Sequence, residues 1–276
     1  MKLLLTYFLI ILFLLTSCNK KPPLKESEAV QTSENEFKYS KIIDLTHEFS
    51  EETVYWVTAK KFKLDTVFNG HTDKGFFYSA YNFSTAEHGG THIDAPIHFS
   101  ENSETVDQIP LKNLIGQAIK IDVSKKAISN PDYQISVEDL TNWETEQQMQ
   151  IPNGSIVLLQ TGFSNFYPNP IKYLGTDQRG EDAVKLLHFP GLSPEASEWL
   201  VKNRNIHAIG IDTASIDYGQ SQHFGSHVNL MSQNISAFEN LTNLNELPNT
   251  GFYIVALPMK IKGGSGAPLR IVALLN

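Results

Sequence analysis

Cysteine is almost missing from this chain. Its 276 residues contain one, Cys18, so no disulfide can close within the chain and no cluster of thiolates can hold a metal. Positive charge is also short: 22 Lys and Arg stand against 30 Asp and Glu, a formal net charge of −8. No basic stripe runs along the sequence, which argues against a nucleic-acid partner. Internal repeats are absent, and past the N-terminal segment so are low-complexity tracts. Long apolar runs are lacking too. The longest, Leu3 to Leu15, falls short of the roughly 20 residues that span a bilayer.

That run follows the basic start Met1-Lys2 and has the shape of a secretory signal. It ends in Leu15-Thr16-Ser17-Cys18, which resembles the lipobox of bacterial lipoproteins. The resemblance implies a signal peptide over 1–17, a lipidated Cys18, and a place on a membrane of the bacterial cell envelope, in the periplasm or at the outer membrane. Several acyl chains, at about 0.8 kcal/mol per buried CH₂, anchor firmly where one does not. Residues 18–38 are polar, with Pro22-Pro23 and mixed charge, and read as a flexible tether reaching about 25 Å. Residues 39–276 are expected to form one domain.

Runs rich in Ile, Val and Leu predict strands at Lys41–Leu45, Ala118–Val123, Ser155–Thr161, Ile206–Asp212, Gly251–Leu257 and Leu269–Leu275. The near-continuous "SIVLLQTG" and "IHAIGIDT" suit strands covered on both faces. Ser193-Pro194-Glu195 opens a helix, with Ser as N-cap, Pro at the first helical position and an acid in the first turn. Ala196, Trp199 and Leu200 follow at helical spacing. A second helix is expected from near Ser236, burying Leu241 and Leu244. The mixture indicates an α/β protein with a mixed sheet.

The stretch "EHGGTHIDAPIHF", Glu87 to Phe99, gathers His88, His92, Asp94 and His98. In a helix Asp94 would lie about 240° round from His88, and Gly89-Gly90 and Pro96 disfavour a helix anyway. In an extended chain all four share one parity, but span roughly 33 Å, too far for one ion. The chain must therefore curl, and Gly89-Gly90 is where it can, returning His88 beside His92. His92 and Asp94, at i and i+2, stay on one side. Two imidazoles and a carboxylate then meet, a donor set that suits Zn²⁺, Mn²⁺ or Fe²⁺. Three ligands leave positions open for water, and His98 remains beside them as a proton carrier.

"HGGTHIDAPIH" resembles the signature of the cyclase family, which includes bacterial kynurenine formamidases and isatin hydrolases. The similarity continues through "FPGLSPEASEWL", "IGIDTASID", "FGSHVNLMSQNISAFENL" and "LPMKIKGGSGAPLRIVAL", and is weak over residues 130–150. It implies a swivelling β/α/β domain, often oligomeric, that hydrolyses a non-peptide C–N bond. It further implies His88, His92 and Asp94 as metal ligands, Asp94 as a bridge to a second ion, and His98 as catalytic acid/base. The family's second ion takes a His and, twelve residues later, a Glu; His227 and Glu239 match. Isatin hydrolases carry an amide at that last place and hold one Mn²⁺, so an acid there implies two ions, zinc or manganese.

Glu239 has a rival reading. Ser236-Ala237-Phe238-Glu239 is also a capping-box sequence, which the residues alone favour and the family spacing disfavours. His223 lacks an acid twelve residues on. Asp212 and Asp217 in "DTASID" read as braces of a loop. "GGSGAP", Gly263 to Pro268, reads as a turn or bulge, since strand residues rather than a helix follow it. Trp56 is a candidate to lie over an aromatic substrate, because the formamidases carry a Trp at a comparable distance before the motif. Their W-P-G-D is replaced here by "TVYWVTAKK", and a core or rim Trp fits equally.

The expected activity is metal-dependent hydrolysis of an N-formyl amide, such as N-formylkynurenine, or of a small cyclic amide. The alternatives are lactone opening or carbinol dehydration on the same centre, or a metal- or ligand-binding lipoprotein without turnover. The expected partners are a small amide substrate, a membrane through the lipid anchor, and further copies of the chain.

Overall fold

The computed structural model describes residues 39–275. The expected signal peptide, Cys18 and the tether lie outside the described residues. In chain order the strands are β1 (Lys41–Asp44), β2 (Lys63–His71), β3 (Phe77–Ser84), β4 (His92–Asp94), β5 (Ile115–Asp122), β6 (Gln134–Ile135), β7 (Ile156–Gln160), β8 (Gly191–Leu192), β9 (Ala208–Ile211), β10 (Ser236–Glu239), β11 (Phe252–Pro258) and β12 (Gly266–Leu275). The helices are α1 (Leu111–Leu114), α2 (Ser124–Ser129), α3 (Val137–Gln147), α4 (Pro170–Leu174), α5 (Pro194–Asn203) and α6 (Gly225–Met231).

The main sheet has eight strands in the order β1-β12-β11-β5-β7-β9-β10-β4, and β4 pairs again with β12. That last pairing closes the sheet into a barrel. Strands β5, β7, β9 and β10 run parallel, and the rest pair antiparallel. The fold is thus α/β with a mixed sheet.

Alternation along the strands fills two cores. Ile93, Ile156, Leu158, Phe238, Ile254 and Ile271 point into the barrel. Ile119, Val157, Leu159, Ile209 and Ala237 point outward and are covered by Leu140 and Trp143 of α3, Leu200 of α5 and Leu230 of α6. Parallel strands buried on both faces account for the unbroken apolar runs. Helix α5 starts as its sequence dictates: the Ser193 side chain accepts from the Ala196 N–H, and Pro194 opens the first turn.

One expected helix is corrected. Ser236–Glu239 is strand β10, paired parallel with β9 and antiparallel with β4, so no helical N–H groups await a cap there. Ala237 faces the helices and Phe238 the barrel interior, a two-sided burial that a surface helix start cannot provide. Leu241 and Leu244 are buried as expected, but in the segment after the strand. The separate hairpin of β2 and β3 was not among the expected strands, nor was β4.

Candidate metal centre

Strand β4 is short and central. It lies between β10 and β12, with Glu239 directly opposite His92 and Gly266 opposite Asp94. Ile93 points into the barrel, so His92 and Asp94 share the outward face. The chain arrives at β4 through Gly89 at φ 149° and Gly90 at φ 58°, which returns His88 over His92. A Cβ on Gly89 would lie 2.0 Å from the Tyr55 ring, so only glycine fits that turn. Gly266 likewise leaves room for His88, whose Cε1 would be 2.5 Å from a Cβ there. His98 ends the short turn Pro96–His98, and its ring stacks on His88 at 3.8 Å between centroids. His227 comes from α6, two residues after Gly225.

These residues converge. His92 Nε2 is 3.1 Å from Asp94 Oδ1 and 3.5 Å from Glu239 Oε2. His227 Nε2 is 3.1 Å from Asp94 Oδ2 and 3.3 Å from Glu239 Oε1. Two donors on one ion, each at about 2.1 Å and 90–110° apart, are roughly 3.0–3.4 Å from each other, so the spacings suit a shared cation. His88 Nδ1 lies closer to Asp94 Oδ1, at 2.6 Å. Atoms of His88, Asp94 and His98, and of His92, Asp94 and Glu239, form two groups compact enough to hold an ion.

Each imidazole has its tautomer fixed from outside the cage. His227 Nδ1 is 2.6 Å from Asp217 Oδ2, a carboxylate that only accepts, so Nδ1 carries the proton and Nε2 turns its lone pair inward. His92 Nδ1 donates to the Gly90 carbonyl at 3.0 Å, with the same result. For His88 the orienting group is Ser265. The Ser265 hydroxyl donates to Glu87 Oε2 at 2.7 Å, so it accepts from His88 Nε2 at 2.9 Å and leaves Nδ1 as the inward lone pair. Such outer partners are the usual support of metal-binding histidines.

The electrostatics ask for a cation. Burial alone would lower His92, but Asp94 and Glu239 reverse this and carry its pKa up to about 9. Burial opposes the charge on His227 as well, yet hydrogen bonds to Asp217, Asp94 and Glu239 hold it well above its ordinary value. Glu239 is raised by burial and by the charge of Asp94. Burial would raise Asp94 too, but His92 and His88 hold it well below the carboxylate range. Buried carboxylates that pull protons onto their neighbours are suited to a divalent ion. His98 differs: burial lowers its pKa to about 4, with His88, His227 and His92 adding to the shift against an opposing pull from Asp94.

The cage opens into a cavity of about 300 Å³ lined on its other side by Tyr55, Trp56, Phe99, Ala214 and Phe224. Trp56 therefore faces the site. Phe224, at φ 47° and ψ 44°, sits in the left-handed region, where a bulky side chain is strained. Its ring packs 5.3 Å from Phe99 and 6.3 Å from Trp56.

Sequence reasoning missed several of these residues. Asp217 braces its loop as expected, accepting from the Ser226 and His227 N–H groups, and it also orients His227. Asp212 is such a brace, accepting from Thr161 and Gly162. Ser265 lies inside "GGSGAP", so that turn is part of the support of His88. His223 is exposed and appears in neither candidate ion-binding group. A carboxylate just before the histidine motif, in Glu87-His88, was the available signal for Glu87.

Comparison with known proteins gives one consistent set. Residues 43–218 match the model of a family described as Cyclase. An isatin hydrolase of Roseibium aggregatum is 28% identical over 243 residues, covering 85% of this chain and 86% of that protein. A kynurenine formamidase of Bacillus anthracis is 24% identical over 238 residues, covering 85% and 98%. Among solved structures, isatin hydrolase A from Labrenzia aggregata, bound to benzyl benzoate, superposes with a TM-score of 0.77 at 32% identity, covering 85% of this chain and 93% of that one.

Proposed function

This chain belongs to the cyclase family, and we infer that it is a metal-dependent hydrolase of a non-peptide C–N bond. The substrate class is an N-formyl amide, such as N-formylkynurenine, or a small cyclic amide of the isatin type, as the names of its relatives indicate. The observation that carries the reading is the set of three imidazoles whose outer nitrogens are each tied to a protein oxygen, leaving three lone pairs aimed at Asp94 and Glu239.

His88, His92, Asp94, His227 and Glu239 would hold the metal. Asp94 turns Oδ1 towards His88 and His92 and Oδ2 towards His227, which supports two ions, zinc or manganese, with Asp94 shared. A divalent ion would supply Lewis acidity there, lowering the pKa of a water towards about 7 and offsetting charge on the substrate oxygen. His98 acts on protons. Held neutral by burial, it takes a proton as the water oxygen bonds to the carbonyl carbon. It returns that proton to the nitrogen as the C–N bond breaks, so the amine leaves neutral. Trp56, Phe99 and Phe224 form an apolar wall against which a planar substrate packs.

The apolar run before Cys18 supports attachment to an envelope membrane through a lipid on that thiol. Cell fractionation of the natural chain and of Cys18→Ser tests it, and a variant as membrane-bound as the natural chain would refute it.

Elemental analysis of the purified protein, with turnover measured on formamides, isatin-type lactams and lactones, tests the main reading. Bound metal and cleavage of a C–N substrate are expected, and His98→Ala should lower turnover by about 10²–10⁴-fold with metal content unchanged. A metal-free protein, turnover of lactones alone, or full activity in His98→Ala would overturn it.

A further inference from the structure

Among the residues that line the cavity, Asn240 is neither a candidate metal donor nor a proton carrier. It follows Glu239 at the end of β10, at φ 54°, a left-handed conformation that Asn adopts more readily than most side chains. Its backbone is held on both sides. The N–H donates to the Thr213 carbonyl at 2.8 Å. The carbonyl accepts from the hydroxyl of Thr91, the neighbour of His92, at 2.7 Å.

The side chain is held as well. Oδ1 accepts from the Tyr173 hydroxyl at 2.9 Å, and Tyr173 is fully buried outside the cavity lining. Oδ1 is thereby turned away from the open space and Nδ2 towards it. The Asp94 and Glu239 carboxylates that border the cavity favour that NH₂ end inward. Asn240 is 2% exposed, yet Nδ2 makes no hydrogen bond among the described residues and is not sealed off. A donor withdrawn from water without a partner is costly, and an oxygen placed in the cavity would supply the partner. Of the other uncharged side-chain donors in the lining, the Tyr55 hydroxyl is engaged by Thr85. The Ser215 hydroxyl, buried like Asn240, has no partner to fix its direction.

We propose that Asn240 is a catalytic residue whose Nδ2–H donates to the substrate's carbonyl oxygen as that oxygen gains negative charge. The inference rests on the C–N hydrolase reading. As the water oxygen bonds to the carbonyl carbon, the π pair of the C=O bond moves onto the oxygen and a water proton passes to His98. The pair returns to carbon when the C–N bond breaks, and the His98 proton leaves on the nitrogen. Between those events the oxygen carries three lone pairs, room for the amide donor beside a cation. A donor fixed before the charge appears needs no reorganisation when it does, which is where such groups gain their effect.

Steady-state turnover of formanilide and isatin, with metal content and melting temperature measured on the same samples, tests the proposal. Asn240→Gly keeps the left-handed backbone and removes the donor. Its kcat should fall about 10²–10³-fold, with KM, metal content and melting temperature little changed. Tyr173→Phe leaves the amide but frees Oδ1, and should lower kcat by a smaller factor. Added to Asn240→Gly it should lower kcat no further, because both act through one hydrogen bond. An Asn240→Gly kcat equal to the natural one, a loss confined to KM, or losses that add in the double variant would overturn the proposal. If Asn240→Gly sheds metal or unfolds, Tyr173→Phe decides: a lowered kcat at natural metal content upholds the role, and a natural kcat ends it. A natural chain inert towards both substrates sinks the hydrolase reading and this role with it, whereas an active natural chain with an equally active Asn240→Gly sinks Asn240 alone.

Discussion

The two halves of the barrel are built from the same kinds of residue and end in different surroundings. In the parallel half, β7, β9, β10 and residues 118–121 of β5 are buried on both faces, between the barrel interior and helices α3, α5 and α6. In the antiparallel half, β11, β12 and β1 bury the interior face, while outward residues such as Ile42 and Leu257 stay exposed. The candidate metal site sits where the halves meet, on β4. Parallel connections need long crossovers, and those crossovers supply covering helices. Consecutive antiparallel strands need only a turn, and the one between β11 and β12 contains no helix to cover them. One half is therefore enclosed, and the other keeps exposed apolar residues on its outer face.

The largest way to break this arrangement is at the meeting point. Asp94→Asn should abolish bound metal and lower activity about 10³-fold or more, since the lost Lewis acid is worth several kcal/mol; elemental analysis and turnover read both. Next comes the contrast between the halves. Leu159→Ala, on the covered outer face, should cost about 2–5 kcal/mol. Leu257→Ala, on the bare face, should cost less than about 0.5 kcal/mol in dilute solution. Equal losses in denaturant titrations would show that the two faces do not differ.

Smaller effects sharpen the role of the supports. Asp217→Asn, at His227, and Glu87→Gln, acting through Ser265 on His88, should each weaken metal affinity by about 10–100-fold without unfolding the chain; competition with a chelator measures it. The last test concerns His47, which follows β1, stacks on Tyr167 at 3.7 Å and donates its backbone N–H to Thr91 beside β4. Burial lowers its pKa from 6.5 to about 4. Folding thus favours neutral His47, a contribution present above pH 6.5 and lost as pH falls towards 4. His47→Phe should remove about 2 kcal/mol of the stability that the natural chain loses between pH 7 and pH 5. Parallel acid limbs for the two proteins would dismiss His47 as a cause.

How legible the molecule was in its sequence follows the same division. The doubly covered strands stand out as apolar runs, and helix α5 announces itself through Ser193-Pro194. The curl at Gly89-Gly90 follows from distance alone, because all its participants are local. What stayed hidden depends on partners far along the chain. Ser236 and Glu239 satisfy a local capping pattern, yet pairing with β9 and β4 makes them a strand. Asp217 and Ser265 look like loop residues until His227 and His88 arrive beside them. The β2–β3 hairpin escaped notice because aromatic residues on both faces blur the alternation that marks a half-buried strand.

Strand β4 is only three residues long, yet it is the stave that shuts the ring of strands. Its neighbours Glu239 and Gly266 come from late in the chain, so no fragment ending earlier can assemble the donor set. Cation capture by the candidate donor set would in this way report completed folding. Damage to the far end of β12, past its pairing with β4, would show itself first as a chain that fails to load its ion.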